Sequence, residues 1–166
     1  MRTMGMDHKI VAPSLDGRKG GLILVSKKEV RIYSRTTTFS CIDVSVEESD
    51  GRMWRLTGVY GEPNCDNKDR TYQFLRDFHA QSTLPWVAVG DINEILFSSK
   101  KEGGAPRQHS RMQAFQDALM DCSLEDIGYH GDKFTFFRGG LRERLDRAVS
   151  NADWMEMHPL CGLSNL

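Results

Sequence analysis

One segment of the chain passes directly from apolar to polar residues: WVAVGDIN, positions 86–93. Four apolar residues followed by glycine predict a short strand that is buried on both faces. Asp91 and Asn93 lie two positions apart at its end, and side chains at that spacing on a strand project to the same face. Phosphodiester hydrolysis needs such a pair, because a base must position water and a donor must hold the phosphorus oxygens. An Asx turn that closes the strand is the alternative interpretation.

The segments around this strand predict a mixed α/β domain. Apolar runs and period-two alternation predict strands at 21–25, 30–33, 39–46, 52–60, 124–127, 134–137 and 145–149. Asp50-Gly51 is a hairpin signal between two of them. The spacing of apolar residues predicts one helix at 68–80 and a second that starts at Ser110. Runs of strands interrupted by two helices favour a sheet core covered by helices.

Composition and length limit the class of protein. The chain has 166 residues, 39% of them hydrophobic and 27% charged, which suits one globular domain over 1–166. A net charge of −1 gives no global attraction for nucleic acid, so a nucleic-acid enzyme would need a local basic surface. The cysteines form no CxxC pair, which argues against a zinc site and favours a reducing compartment. No run approaches the roughly 18 apolar residues of a membrane span, so we expect an intracellular protein without a membrane partner.

Three further segments carry residue types that suit phosphodiester chemistry. Tyr60 ends an earlier strand between glycines, where a phenol can hydrogen-bond a phosphate oxygen; a core or turn tyrosine is the alternative. Thr135 places a hydroxyl among aromatic residues. Asp146 lies on a strand between Arg144 and Arg147, where an ordinary salt bridge is the alternative. Each of these residues, taken alone, is more often structural than catalytic.

Taken in order, these segments resemble the endonuclease/exonuclease/phosphatase superfamily, and in particular the endonuclease domain encoded by plant LINE-type retrotransposons. The matching segments are DGRKGGL at 16–22, VYGEP at 59–63, GDINE at 90–94, KFTFFRGG at 133–140 and RLDRA at 144–148. The resemblance implies a four-layered α/β/β/α sandwich of the deoxyribonuclease-like type, with the site at one end of the two sheets. It also implies a Mg²⁺-dependent DNA endonuclease. Ile92 stands where the family usually has Phe, on the opposite face of the strand, and should affect packing only.

The same resemblance implies a role for each candidate residue. Asp91 matches the acid that orients or deprotonates the attacking water, and Asn93 matches the amide that binds the phosphate. Tyr60 matches the tyrosine near the scissile phosphate, and Thr135 the hydroxyl that contacts it. Asp146 matches the acid that orients a histidine.

Two parts of the family's pattern have no counterpart in the chain. Family members hold Mg²⁺ largely through a glutamate on an early strand, and they finish with a Ser-Asp-His motif on a last strand. We therefore expect a chain truncated at both ends, which binds Mg²⁺ poorly and has little or no turnover. No residue is assigned to the metal, and His158, beside Pro159, is expected in a surface or core role. A non-catalytic remnant, a weak nucleic-acid-binding fragment and a phosphatase of the same superfamily remain alternatives.

The resemblance names DNA as the partner and, for a retroelement endonuclease, the nucleus as the location. Basic residues that could contact the DNA backbone form a candidate rim: Lys100, Lys101, Arg107, Arg138, Arg142 and Arg144. Solvated loop residues are the alternative interpretation of this set. The strand at 21–25 is expected to lack its partner, and an unpaired strand edge of that kind favours self-association.

Overall fold

The structure is a computed structural model that describes residues 8–13, 21–26 and 29–165. Most of the DGRKGGL segment lies outside the described residues. The α-helices are α1 (Asp69–Ala80), α2 (His109–Asp121) and α3 (Ala152–Met157), and none in the described ranges is long and apolar enough to cross a membrane. The strands are β1 (His8–Val11), β2 (Ile23–Ser26), β3 (Arg31–Thr38), β4 (Cys41–Glu47), β5 (Met53–Tyr60), β6 (Trp86–Asp91), β7 (Lys101–Glu102), β8 (Glu125–Asp126), β9 (His130–Gly131), β10 (Phe136–Arg138), β11 (Leu141–Glu143), β12 (Asp146–Ser150) and β13 (Ser164–Asn165).

The largest sheet places β6 in its interior. Its six strands follow the order β3-β4-β5-β6-β12-β8. β5 and β6 run parallel, whereas the other neighbouring pairs are antiparallel. The carboxyl ends of β5 and β6 therefore meet at one edge of the sheet, and β12 begins at that same edge.

Helices α1 and α2 cover one face of this sheet. The ring of Tyr72 in α1 stacks on that of Phe115 in α2, with centroids 5.7 Å apart. α1 confirms the helix predicted at 68–80, and α2 begins at His109, one residue before the predicted start. The helices and the sheet share one buried core, formed by Tyr72, Leu75, Phe78, Phe115, Ala118 and Leu119 against Val59, Trp86, Ala88, Ile92 and Val149.

The opposite face of the sheet carries a second layer. β1 and β2 pair antiparallel, and their side chains pack on Ile42, Val44 and Val46 of β4. Trp154 of α3 packs on Val87 of β6 and on Ala148 of β12. Alternate residues of β6 therefore face alternate layers, as expected for a strand buried on both faces. These layers confirm the predicted α/β sandwich class.

The expectation that the strand at 21–25 lacks a partner is wrong. β2 pairs with β1 along its whole length, from Ser26 opposite His8 to Ile23 opposite Val11. β1 was hard to predict because it is short and Lys9 lies among its apolar residues. The outward side chains of Val11, Ile23 and Val25 remain exposed on this two-stranded sheet.

A buried ion pair joins the sheet to the end of α1. Arg55 of β5 donates from Nε and Nη2 to the two carboxylate oxygens of Asp43 on β4, at 2.8 and 2.9 Å. Its Nη1 donates to the carbonyl oxygen of Phe78 in α1 at 2.5 Å. The hydroxyl of Thr57 completes the cluster by donating to Asp43 at 2.7 Å. Every polar group of this cluster thus has a partner, which a buried charge requires.

We expect Arg55→Ala to lower the free energy of unfolding by about 3 kcal/mol, because it leaves the buried Asp43 carboxylate with only the more distant Arg35, at 3.4 Å, as its counter-ion. Urea unfolding followed by tryptophan fluorescence measures this. Arg31→Ala is the matched control, since the Arg31 side chain is 75% exposed in its pair with Glu47. That control should change stability little. Equal effects of the two substitutions would contradict the assignment.

Candidate active site at the ends of three strands

Three strand ends bring Tyr60, Asp91 and Asp146 into one row. Asp91 is opposite Tyr60 in the parallel β5–β6 pair and opposite Asp146 in the antiparallel β6–β12 pair. Side chains of directly opposed residues lie on the same face of a sheet. All three residues are partly exposed. The row is therefore open to solvent, with two carboxylates and a phenol in adjacent positions.

Asn93 joins this row through a turn, as the alternative interpretation of the sequence predicted, and not from the strand itself, because β6 ends at Asp91. Its backbone N–H donates to Oδ1 of Asp91 at 2.8 Å, which is an Asx turn. The residue has a φ of 58°, in the left-handed region. Its side-chain Nδ2 donates to the carbonyl oxygen of Gly61 at 2.8 Å. One N–H of the amide is thereby engaged, and the second is available to a ligand.

Two glycines allow close backbone contact between the ends of β5 and β6. Gly90 has a φ of 146°, and a Cβ there would lie 2.0 Å from the carbonyl oxygen of Val59. A Cβ on Gly61 would lie 2.2 Å from the carbonyl oxygen of Ile92. Any larger residue at either position would push β5 and β6 apart at the end where the row lies.

Thr135 meets the row from the segment that precedes β10. Its Oγ1 accepts hydrogen bonds from the backbone N–H groups of Leu145 and Asp146, at 3.1 and 3.0 Å. A hydroxyl that accepts in this way still has its own hydrogen to donate. The structure thus brings together all five residues to which the resemblance gave a role.

The environment of Asp91 raises the pKa of its carboxyl group. Burial is the largest cause, and the nearby charge of Asp146 adds to it. The hydrogen bond from the Asn93 N–H acts in the opposite direction and lowers the pKa. A raised pKa makes a carboxylate a better proton acceptor, which suits a general base.

Lys68 is a neighbour of the row that the sequence did not indicate. Its side chain is buried, and Nζ donates to the carbonyl oxygen of Asn93. Burial lowers the pKa of Lys68 to about 8, although the charge of Glu94 partly opposes this. Lys68 immediately precedes α1, a position where acidic residues are favoured. A lysine at this position is unfavourable for the helix, and this is the sequence signal that could have indicated a special role for Lys68.

The acids of this region do not fit a magnesium ion held by the protein. Glu94 is fully buried and pairs with Arg107 at 3.1 Å and Arg111 at 2.8 Å, so its charge is already neutralised. Within the described ranges, no three histidine, cysteine or acidic side chains are grouped closely enough to hold a metal. Asp91 and Asp146 offer two carboxylates, and one oxygen of Asp91 is held by the Asn93 N–H. Mg²⁺ usually keeps several waters and is bound by one or two carboxylates together with substrate phosphates, so these two acids would hold it weakly without a bound phosphodiester.

The candidate DNA rim divides into exposed and internally paired residues. Arg138 and Arg142 are exposed on the β10–β11 hairpin, where Arg142 lies 3.7 Å from the carboxylate of Glu102. Lys100 is half-buried with its ammonium over the ring of Tyr129. Lys101 and Arg107 both pair with Glu143, at 3.0 and 2.6 Å.

The prediction that Arg144 belongs to the DNA-facing rim is wrong. Its side chain is 2% exposed, and it pairs with Asp126 at 3.1 Å. The guanidinium also lies 4.0 Å from the ring centroid of Tyr129. Arg144 therefore supports the fold beneath the hairpin and does not reach a ligand.

His158 packs between two tryptophans. Its ring centroid lies 5.3 Å from that of Trp54 and 4.9 Å from that of Trp154. Its Nε2 lies 3.5 Å from a carboxylate oxygen of Glu48. These contacts hold the end of α3 on the second face of the sheet, so His158 has a packing role.

Solved structures resemble this chain, although no model of a protein family and no curated protein matches it. The endonuclease domain of TRAS1, a telomere-specific non-LTR retrotransposon, has a TM-score of 0.70 and 18% identity, over 90% of this chain and 68% of that one. The human nocturnin catalytic domain has a TM-score of 0.57 and 13% identity, over 87% of this chain and 60% of that one. An endonuclease/exonuclease/phosphatase family protein from Leptotrichia buccalis has a TM-score of 0.52 and 15% identity, over 88% and 60%.

These likenesses show that the chain has the endonuclease/exonuclease/phosphatase fold. For the fold, they confirm the resemblance that the sequence motifs indicated. The chain spans 60% of the length of both the nocturnin domain and the Leptotrichia protein.

The raised pKa of Asp91 predicts how Asp91→Asn changes stability with pH. A raised folded-state pKa means that the folded protein favours the protonated acid, so this contribution is lost as pH rises through the folded pKa. Asparagine keeps the oxygen that accepts from Asn93 and removes the charge. We expect the melting temperature of the variant, relative to wild type, to increase between about pH 3 and about pH 7. The exposed Asp77→Asn is the control, and a difference for Asp91→Asn that is constant with pH would contradict the burial of this carboxyl.

Proposed function

We propose that the chain is a phosphodiesterase domain that acts on DNA, of the retroelement endonuclease type, and that its own turnover is slow. The observation that carries this proposal is the row of Tyr60, Asp91 and Asp146, with Asn93 and Thr135 beside it. The fold is shared with a retrotransposon endonuclease domain, and also with a nocturnin domain that was solved with bound sulfate, an anion similar to phosphate.

Each residue of the row has a chemical part in hydrolysis. Asp91 accepts a proton from the attacking water, for which its raised pKa is suited. The second N–H of the Asn93 amide and the hydroxyls of Tyr60 and Thr135 donate to the phosphate oxygens. Asp146 keeps the Asp91 carboxyl basic through its own negative charge.

The slow turnover follows from the charge available to the phosphate. The donors of the row are neutral, whereas the transition state gathers negative charge on the phosphorus oxygens. Lys68, whose charge acts on Asp91, donates to the backbone of Asn93. The guanidinium groups of Arg107 and Arg111 are paired with Glu94. Neutral donors give only part of the stabilisation that charged groups would give.

A second candidate function is DNA binding without hydrolysis. Arg138 and Arg142 are exposed on one hairpin, and phosphate contacts of this kind provide most of the affinity in non-specific DNA binding. Binding would then persist in Asp91→Ala with an unchanged affinity and with no hydrolysis in either protein.

Hydrolysis of bis(p-nitrophenyl) phosphate tests the role of Asp91. This diester has a good leaving group, so a base and neutral donors should suffice for a slow, measurable rate. We expect Asp91→Ala to lower that rate about 10²-fold or more, as for the loss of a general base. Asp77→Ala, on the exposed side of α1, is the control and should keep the rate of wild type.

Supercoiled plasmid is the second substrate of the same experiment. With Mg²⁺ added, wild type should nick it no faster than Asp91→Ala does. Rapid nicking that needs Mg²⁺ and is lost in Asp91→Ala would show that the slow-turnover part of the proposal is wrong. Equal rates for wild type and Asp91→Ala on the aryl diester would contradict the catalytic role itself.

A further inference from the structure

Lys68 is a buried lysine at a position where the fold disfavours a positive charge. The residue is 5% exposed, and it directly precedes α1, where the helix dipole has its positive end. Burial is the main cause that lowers the pKa of its ammonium group to about 8. The charges of Arg111 and Arg107 act in the same direction. The folded protein therefore carries this cation at a cost in stability.

The carboxylates near Lys68 do not explain why the cation is there. Glu94 has the largest opposing effect on the Lys68 pKa, but it already pairs with Arg107 at 3.1 Å and with Arg111 at 2.8 Å. None of the ion pairs between described residues involves Lys68. A buried ionisable group with a shifted pKa and no structural counter-ion is a candidate for a functional role.

The contact that Lys68 does make is with the turn at Asn93. Its Nζ donates to the carbonyl oxygen of Asn93. The backbone N–H of Asn93 donates to Oδ1 of Asp91 at 2.8 Å, and its Nδ2 donates to the carbonyl oxygen of Gly61 at 2.8 Å. Asn93 has a φ of 58°, which a residue other than glycine adopts at a cost. The bond from Lys68 is the charge-assisted one of the three, and such bonds are the strongest.

Lys68 reaches this turn from the side of the helices, whereas the row lies on the other face of the sheet. Val59, the neighbour of Tyr60 on β5, packs in the core beneath α1 and α2. Because side chains alternate along a strand, Tyr60 and the opposed Asp91 project away from the helices. The backbone of Asn93 thus connects a buried ammonium group on one side to the row on the other. Lys68 acts on the row through Asn93.

We propose that Lys68 is a positioning residue of the candidate active site, which holds the Asn93 turn in the left-handed conformation from which the Asn93 amide donates to the phosphate. This inference rests on the proposed function, which gives the amide that part. The bond from Lys68 fixes the direction of the peptide group between Asn93 and Glu94. Without it, the turn relaxes toward an ordinary backbone conformation and its amide moves. Displacement of a positioning group by about 1 Å is enough to slow a reaction strongly.

Lys68→Met tests whether this residue serves the site and not the fold. Methionine keeps an unbranched chain of similar length, tolerates burial and removes the ammonium group. We expect the melting temperature to stay the same or to increase, because a disfavoured buried charge is lost. The kcat for bis(p-nitrophenyl) phosphate should fall about 10-fold. Lys9→Met, at an exposed position on β1, is the control and should keep the kcat of wild type.

Hydrogen exchange of single backbone amides, followed by NMR, tests the turn itself without any turnover. The Asn93 N–H reports on its bond to Asp91, at 2.8 Å. A matched reporter is the Gly128 N–H, which donates to Oδ1 of Asp126 at 2.9 Å in a turn of the same kind. In Lys68→Met, we expect exchange of the Asn93 N–H to be about 10-fold faster than in wild type, and exchange of the Gly128 N–H to be unchanged.

Two results would overturn the proposal. One is an Asn93 N–H that exchanges at the same rate in Lys68→Met and in wild type. The other is a lower melting temperature with faster exchange at Asn93 and Gly128 alike, which would show that Lys68 supports the fold as a whole. Failure of the proposed function is a separate result, seen as hydrolysis by wild type that does not depend on Asp91. The exchange rates report on Lys68 in that case too.

Discussion

The register of β6 between β5 and β12 is the constraint on which the candidate site depends. It sets Asp91 opposite both Tyr60 and Asp146, on the face of the sheet that looks away from α1 and α2. A slip of one residue in either pair would turn a carboxylate to the helix face. Gly90 helps to prevent such a slip, because the carbonyl oxygen of Val59 occupies the space that a Cβ at this position would need.

Buried charged residues on the helix face of the sheet hold the backbone at the ends of β6 and β12. Arg147 is fully buried on the helix face and donates to the carbonyl oxygens of Glu94 and Arg144, at 3.1 and 2.9 Å. It also pairs with Asp126 at 3.0 Å, and burial lowers the pKa of its guanidinium to about 10. The ends of β6 and β12 are thus held by hydrogen bonds that have fixed directions. Such a cluster is costly to desolvate, and it restrains the geometry of the residues just above it.

Local patterns explain which parts of this fold and site could be predicted. The apolar run was sufficient to predict β6, and the helical spacing of apolar residues was sufficient to predict α1, because each pattern depends on burial of residues close together in sequence. The polar site residues followed from motifs taken together, since each motif alone has a structural interpretation. β1, the partners of Arg144 and the position of Lys68 were not predictable in this way. They depend on contacts between residues far apart in sequence, such as Lys68 with Asn93, for which a single sequence carries no periodic signal.

The titration of the Asp91 carboxyl group, followed by NMR in wild type and in Asp146→Asn, tests the account most directly. If the two carboxylates face one another in the row, removing the charge of Asp146 removes one of the causes that raise the pKa of Asp91. We therefore expect the pKa of Asp91 to be lower in Asp146→Asn than in wild type, while remaining above the ordinary value for an aspartate because burial persists. An Asp91 pKa that is the same in both proteins would show that the two acids do not share a site, and would contradict the account.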